Sequence, residues 1–153
     1  MKTERVITAI DTHSSGETTR FVIGGFPPIP GKTMWEKTKY CMEHYDHLRK
    51  ALMMQPRGFS GILGAILTEP TKPEADFGLI FMYTGGYLNS CGDSTFSAAK
   101  ALIEFGFVEP KEPTTEIVFD TAAGLVHVEV EVKNGEVIFN GSNRKWKIQV
   151  ILI

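Results

Sequence analysis

Among the groups that could supply acid–base, nucleophilic or metal chemistry in this 153-residue chain are two cysteines, four histidines and 18 carboxylates. Cys91 has the most suggestive surroundings. It ends a run of glycine and small polar residues, Tyr83-Thr84-Gly85-Gly86-Tyr87-Leu88-Asn89-Ser90, and stands where the segment Ser94 to Phe105 opens as a helix. Unpaired backbone N–H groups and the positive end of the dipole favour negative charge at such a start, on sulfur or on a bound carboxylate. The N–H groups of Gly92, Asp93 and Ser94 are therefore candidates to hold a substrate carboxylate beside Cys91. Spacing alone leaves open that Cys91 is an inert small residue.

The other candidates are weaker. Cys41 lies in the apolar stripe of a helix, as a core residue would. His44 and His47 lack carboxylate or thiol support at ligand spacing and read as a solvated face, so no metal site is expected. His13, near Asp11 and Glu17, reads either as a site residue or as an organiser of a loop. His127 alternates outward on a strand. Neither Gly24-Gly25 nor Gly85-Gly86 matches a phosphate loop.

Holding Cys91 in place requires a firmly seated helix. Phe96, Ala98, Ala99, Ala101, Leu102, Ile103 and Phe105 leave it little polar face, so burial is expected, with Lys100 the exception and Gly106 the C-terminal cap. Around it the chain reads as strands. Arg5 to Ile10 is a strand that ends in a polar loop, Asp11 to Glu17, and Thr19 to Gly25 is a second strand. A capping box of Thr33 and Glu36 opens another helix, carrying Cys41, Tyr45, Leu48 and Leu52 on one face, that runs to Pro56. Strands follow at Gly61 to Thr68 and Asp76 to Met82, joined by the proline-bearing loop Glu69-Pro70-Thr71-Lys72-Pro73. Glu116 to Thr121, the alternating valines Val126, Val128, Val130 and Val132, and Gly135 to Phe139 complete the pattern. Asn134-Gly135 is a two-residue hairpin signal. These elements predict an α/β (α+β) domain, a mostly antiparallel sheet curled around the second helix with the first helix outside.

Composition sets the class. The chain is 42% apolar and 22% charged with a net charge of -2, the balance of one soluble domain. With 16 basic against 18 acidic residues, and no basic run longer than Arg144-Lys145, it has no footprint for nucleic acid. No apolar stretch reaches the roughly 18 residues of a membrane span, and no signal sequence follows Met1. Two cysteines without a scaffold pattern suggest reduced thiols and a cytoplasmic location. The end, Ile148-Gln149-Val150-Ile151-Leu152-Ile153, is apolar without polar closure. It reads either as a final buried strand or as the mark of a truncated or diverted chain.

Several segments in order carry a resemblance. Ala9-Ile10-Asp11-Thr12-His13-Ser14-Ser15-Gly16-Glu17, Thr19-Arg20, Val22-Ile23-Gly24-Gly25, Pro56-Arg57-Gly58, Ala75-Asp76-Phe77-Gly78, Gly85-Gly86-Tyr87-Leu88-Asn89 and Cys91-Gly92 resemble the proline racemase family, with its hydroxyproline epimerases and trans-3-hydroxyproline dehydratases, from about residue 5 to 139. The resemblance implies two similar lobes of the diaminopimelate-epimerase kind, each a curled sheet around a central helix, with the site between them. It also implies cofactor-free inversion of the α-carbon of proline or hydroxyproline. One cysteine from each lobe acts, one as thiolate base and the other as thiol acid. Cys91 corresponds to the first-lobe cysteine, and the N–H groups of Gly92, Asp93 and Ser94 to part of the carboxylate cradle.

A family member is about twice as long, so residues 1–140 are expected to be the N-terminal lobe alone and residues 141–153 an atypical tail. Asp93 and Phe59 stand where the family usually has histidine, and Asp93 brings negative charge to a site meant for a carboxylate and a thiolate. Three functions remain open. The first is a racemase or epimerase lobe that completes its site with a second copy of the chain. The second is a catalytically silent lobe that binds only a small amino acid or a partner lobe. The third is a dehydratase lobe.

Overall fold

The computed structural model describes residues 5–14, 16–138 and 148–151 of the chain. Its first element is an antiparallel hairpin of β1 (Thr8–Ser14) and β2 (Glu17–Gly24), in register from Ala9↔Val22 to Ser14↔Glu17 with a shift between Thr8 and Ala9. The loop expected over Asp11 to Glu17 is thus corrected, because strand β1 runs on to Ser14. The alternation is present but polar. Thr12 and Ser14 are more buried while Asp11 and His13 are exposed, so hydrophobicity alone hides the period of two.

Helix α1 (Met34–His44) starts as expected. The Glu36 N–H donates to Thr33 Oγ1 at 3.1 Å, and the Glu36 carboxylate accepts from the Lys32 N–H at 2.7 Å. The single helix expected to reach Pro56 is instead broken at Tyr45, with φ −119°, and resumes as α2 (Asp46–Met53). Tyr45 serves the break. Its hydroxyl donates to Pro28 O at 3.2 Å, its ring meets Phe26 edge-on, and Asp46 begins the new helix with ion pairs to Arg49 and Lys50.

The remaining elements are β3 (Leu63–Thr68), β4 (Phe77–Tyr83), β5 (Gly86–Leu88), α3 (Gly92–Glu104), β6 (Thr114–Thr121), β7 (Gly124–Lys133), β8 (Glu136–Val137) and β9 (Ile148–Ile151). The sheet runs β1-β2-β3-β4-β6-β7-β8, with β5 on β4 and β9 on β7. Pairing is parallel at β2/β3 and β4/β6 and antiparallel at the other pairs described. Parallel neighbours need a crossover. The first crossover is α1 with α2, the second contains α3, and the two lie on opposite faces of the sheet. Strand alternation divides the apolar residues accordingly. Phe21, Ala65, Leu79 and Phe81 pack with Ala98 and Leu102 of α3. Their neighbours in sequence, Val22, Ile66, Ile80 and Met82, pack with Met34, Cys41 and Met53 of α1 and α2.

Asn134 and Gly135 both take positive φ, 56° and 75°, in the β7–β8 turn, as its hairpin type requires. The proline-bearing loop after β3 is held by buried Asp120, whose carboxylate accepts from the Thr71 N–H, the Thr71 hydroxyl and the Lys72 N–H at 2.8, 2.6 and 3.1 Å. Two details of α3 differ from expectation. It begins at Gly92 rather than Ser94, and Phe105 caps it with 60% of its surface exposed instead of joining the core. The glycine-rich run before Cys91 contains strand β5, which folds back on β4. Of the tail 141–153 only residues 148–151 are described, as β9 paired with β7, and Phe139 lies outside the described residues.

Candidate functional site

Cys91 is the N-cap of α3, in extended conformation at φ −152° and ψ 113°. The helix then closes on it. The Thr95 N–H donates to Cys91 O at 3.0 Å, and the Thr95 hydroxyl donates to the same carbonyl at 2.7 Å. The N–H groups of Gly92, Asp93 and Ser94 precede this first helical bond, and the Cys91 side chain makes no capping bond to them. They lie at the start of the helix, where its dipole is positive. Gly92 and Asp93 are exposed and Cys91 is half-buried, so both the thiol and these two residues can be reached. A Cβ at Gly92 would meet nothing within 4 Å, so the first helical position after Cys91 faces open space.

Ser94 is different, being fully buried. N-cap and N3 side chains are neighbours at a helix start, and here the Cys91 thiol donates to Ser94 Oγ at 3.2 Å. Ser94 Oγ also lies 3.4 Å from Thr19 Oγ1, on fully buried Thr19 of β2. The Thr12 hydroxyl of β1 donates to Thr19 O at 3.2 Å. Strand β2 therefore presents a threonine on the same phase as core Phe21, directly behind the start of α3. Thr19 does not stand out in the sequence reading. The signal that could have flagged it is a polar side chain on the inward phase of a strand.

The other candidates lie elsewhere. Cys41 is fully buried on the opposite face, and burial pushes its thiol up to about 12, with Lys37 pulling weakly the other way. His13 is exposed on β1, opposite Thr18 and out of phase with Thr12 and Ser14. His44 and His47 are exposed. His127 faces Glu116 at 3.2 Å across the β6–β7 pair. Among the described residues no group of three histidines, cysteines or carboxylates could hold a metal ion, and no helix is long and apolar enough to cross a membrane. A cleft of about 780 Å3 between the starts of β4 and β6, lined by Asp76, Phe77, Phe107 and Ile117 among others, includes none of the predicted site residues.

Several quoted motif residues turn out to be anchors. Arg20 grips Asp11 in a bidentate pair at 2.7 and 2.8 Å and donates to Leu52 O and Arg57 O at 2.6 and 2.7 Å, tying the β1–β2 hairpin to the end of α2. The Arg20 hydrogen bonds hold the Asp11 carboxyl below its ordinary range. In the Pro56-Arg57-Gly58 segment a Cβ on Gly58 would collide with the Met53 carbonyl, so this turn admits no larger residue. Asp76 pairs with Val118 through both backbone and side chain at 2.8 Å, joining β4 to β6.

Comparison with known proteins bears on this arrangement. The family model described as proline racemase matches residues 9–140. A proline racemase of Clostridioides difficile is 48% identical over 136 residues, which are 89% of this chain and 41% of that protein. A 4-hydroxyproline 2-epimerase of Streptosporangium roseum is 46% identical over 135 residues, 88% of this chain and 40% of that protein. Among solved structures, a hydroxyproline epimerase from Agrobacterium vitis with bound trans-4-hydroxy-L-proline superposes with a TM-score of 0.83 at 29% identity, covering 90% of this chain and 41% of that one. The chain thus spans about two fifths of the length of the relatives it matches.

Proposed function

Because the chain belongs to the proline racemase family, we propose that residues 1–140 are the first lobe of a cofactor-independent proline racemase or 4-hydroxyproline 2-epimerase site, with 141–153 an atypical tail, and that Cys91 is the lobe's acid–base group. The observation that carries this is the half-buried Cys91 thiol at the start of α3, beside the exposed helix-start residues Gly92 and Asp93, whereas Ser94, which the sequence also offered, is fully buried. The N–H groups of Gly92 and Asp93 hold the substrate carboxylate, and the Cys91 thiolate removes the α-proton from one face of the ring. Inversion then needs a thiol on the opposite face to return a proton to the carbanion. Cys41 is unsuited, being buried behind the sheet and held as a neutral thiol. The second acid therefore comes from another lobe or a second copy of the chain. Two free cysteines fit a reducing compartment, and we place the protein in the cytoplasm.

Exposed Asp93 in the first turn of α3 favours a second reading, a silent lobe, since its charge opposes both a carboxylate and a thiolate. Loss of deuterium from the α-carbon of labelled L-proline and trans-4-hydroxy-L-proline in ordinary water separates the two. The racemase reading expects exchange that falls by about a thousand-fold or more in Cys91→Ser, the scale of losing an essential acid–base group. It also expects a steep fall on dilution if a second copy completes the site. Exchange that persists in Cys91→Ser overturns the role of Cys91. A folded protein with no exchange at all is the silent lobe.

A further inference from the structure

We propose that the buried hydroxyl pair Ser94–Thr19 is a reversible hydrogen-bond rotor that positions the Cys91 sulfur in both of its protonation states. The inference rests on the reading of Cys91 as an acid–base group and adds a role for two side chains behind it. A racemising cysteine must exist as thiolate in one direction of reaction and as thiol in the other. Whatever holds its sulfur has to accept a hydrogen in one state and donate one in the other. Backbone N–H groups only donate, carbonyls only accept, and a hydroxyl does both.

The geometry has this form. As a thiol, Cys91 donates to Ser94 Oγ at 3.2 Å, and the Ser94 hydroxyl is free to turn its own hydrogen toward Thr19 Oγ1 at 3.4 Å. When the proton leaves, rotation of the Ser94 O–H about Cβ–Oγ directs it at the thiolate, and Thr19 can supply its own hydrogen to Ser94 in return. No heavy atom moves. Both hydroxyls are fully buried, so water does not compete for them, and they come from elements 75 residues apart. The Cys91–Ser94 contact is short for sulfur, while 3.4 Å is long for two hydroxyls. Ser94 is therefore the main positioning residue and Thr19 its support. The arrangement also leaves the N–H groups of the first turn of α3 for a substrate anion, since the sulfur is held from the side-chain direction and makes no capping bond to them.

The test is the pH profile of alkylation of Cys91 by iodoacetamide, followed by mass spectrometry at the Cys91 peptide. It requires neither turnover nor a second lobe. Ser94→Ala should slow alkylation at pH 7 by about ten-fold and displace the profile to the alkaline side, the scale of one hydrogen bond to a charged group. Ser94→Thr, which keeps the hydroxyl, should restore the profile, and Thr19→Val should shift it in the same direction by less. Identical profiles for the wild type and Ser94→Ala overturn the proposal, as does a shift that Ser94→Thr fails to reverse. If Ser94→Ala does not fold, Thr19→Val decides: a shift supports the rotor and no shift refutes it. The Cys91 reading fails separately, in the deuterium experiment, if Cys91→Ser still exchanges.

Discussion

The two faces of one sheet carry one cysteine each and treat it in opposite ways. On the α1/α2 face Cys41 is enclosed by Val22, Ile66, Ile80 and Met82, and burial holds it as a neutral thiol up to about 12. On the α3 face Cys91 sits at a helix start, half-buried, with a hydroxyl against its sulfur and open space at Gly92. The same side chain is a packing group in one place and a candidate acid–base group in the other. What differs is access and the presence of dipoles that stabilise an anion.

Native-state labelling should show this contrast at its largest. Iodoacetamide should modify Cys91 at least about a thousand-fold faster than Cys41, because reaching Cys41 requires opening of the α1/α2 layer, which costs several kcal/mol. Comparable rates, read by peptide mass spectrometry, would erase the distinction.

A smaller effect tests what keeps that layer closed. Arg49 of α2 is nearly fully buried. It bonds Asp46 at 2.6 Å and donates to Tyr83 O and Thr84 O at 2.9 and 2.7 Å, pinning α2 to the β4–β5 turn. Arg49→Ala should destabilise the fold by about 2 kcal/mol, because it leaves the Tyr83 and Thr84 carbonyls without their buried donor. Urea denaturation measures this. The labelling of Cys41 should accelerate while that of Cys91 stays within a few-fold. Equal acceleration at both sites would mean that the two faces open together.

A further contrast is the pH dependence. The Cys41 thiol is raised in the folded state from the ordinary 9.0 to about 12. Its contribution to stability is therefore complete below pH 9 and is lost as pH rises from about 9 to 12, when the unfolded chain ionises first. Cys41→Ala should flatten that alkaline decline in urea midpoints, whereas Cys91→Ala should leave it in place. At the acid end the sign reverses. The Asp11 carboxyl is lowered by Arg20, so its small contribution is present at neutral pH and disappears as acid protonates it.

The legible parts of the molecule were those set by neighbours in sequence. The Thr33–Glu36 cap, the Asn134-Gly135 turn, the valine alternation of β7 and the buried helix behind Cys91 each follow from a few adjacent residues. The resemblance placed Cys91 and the N–H groups after it. Less legible were the features that depend on distant partners. Strand β1 continues through Asp11 to Ser14 because β2 pairs with it, although its inward residues there are Thr12 and Ser14. The break at Tyr45 is held by Pro28 and Phe26, and Phe105, at the end of α3, is left exposed.

The sequence by itself determined the family, the order of elements and the cysteine at a helix start, since local periodicity, capping and turn chemistry act over a few residues. Only the tertiary structure decided that Thr19 of β2 stands behind Ser94, that Cys41 and Cys91 occupy opposite faces, and that Arg20 and Arg49 tie α2 to the β1–β2 hairpin and to the β4–β5 turn. Those facts depend on which surfaces the crossovers bring together, and that is settled by the burial of both faces of the sheet at once.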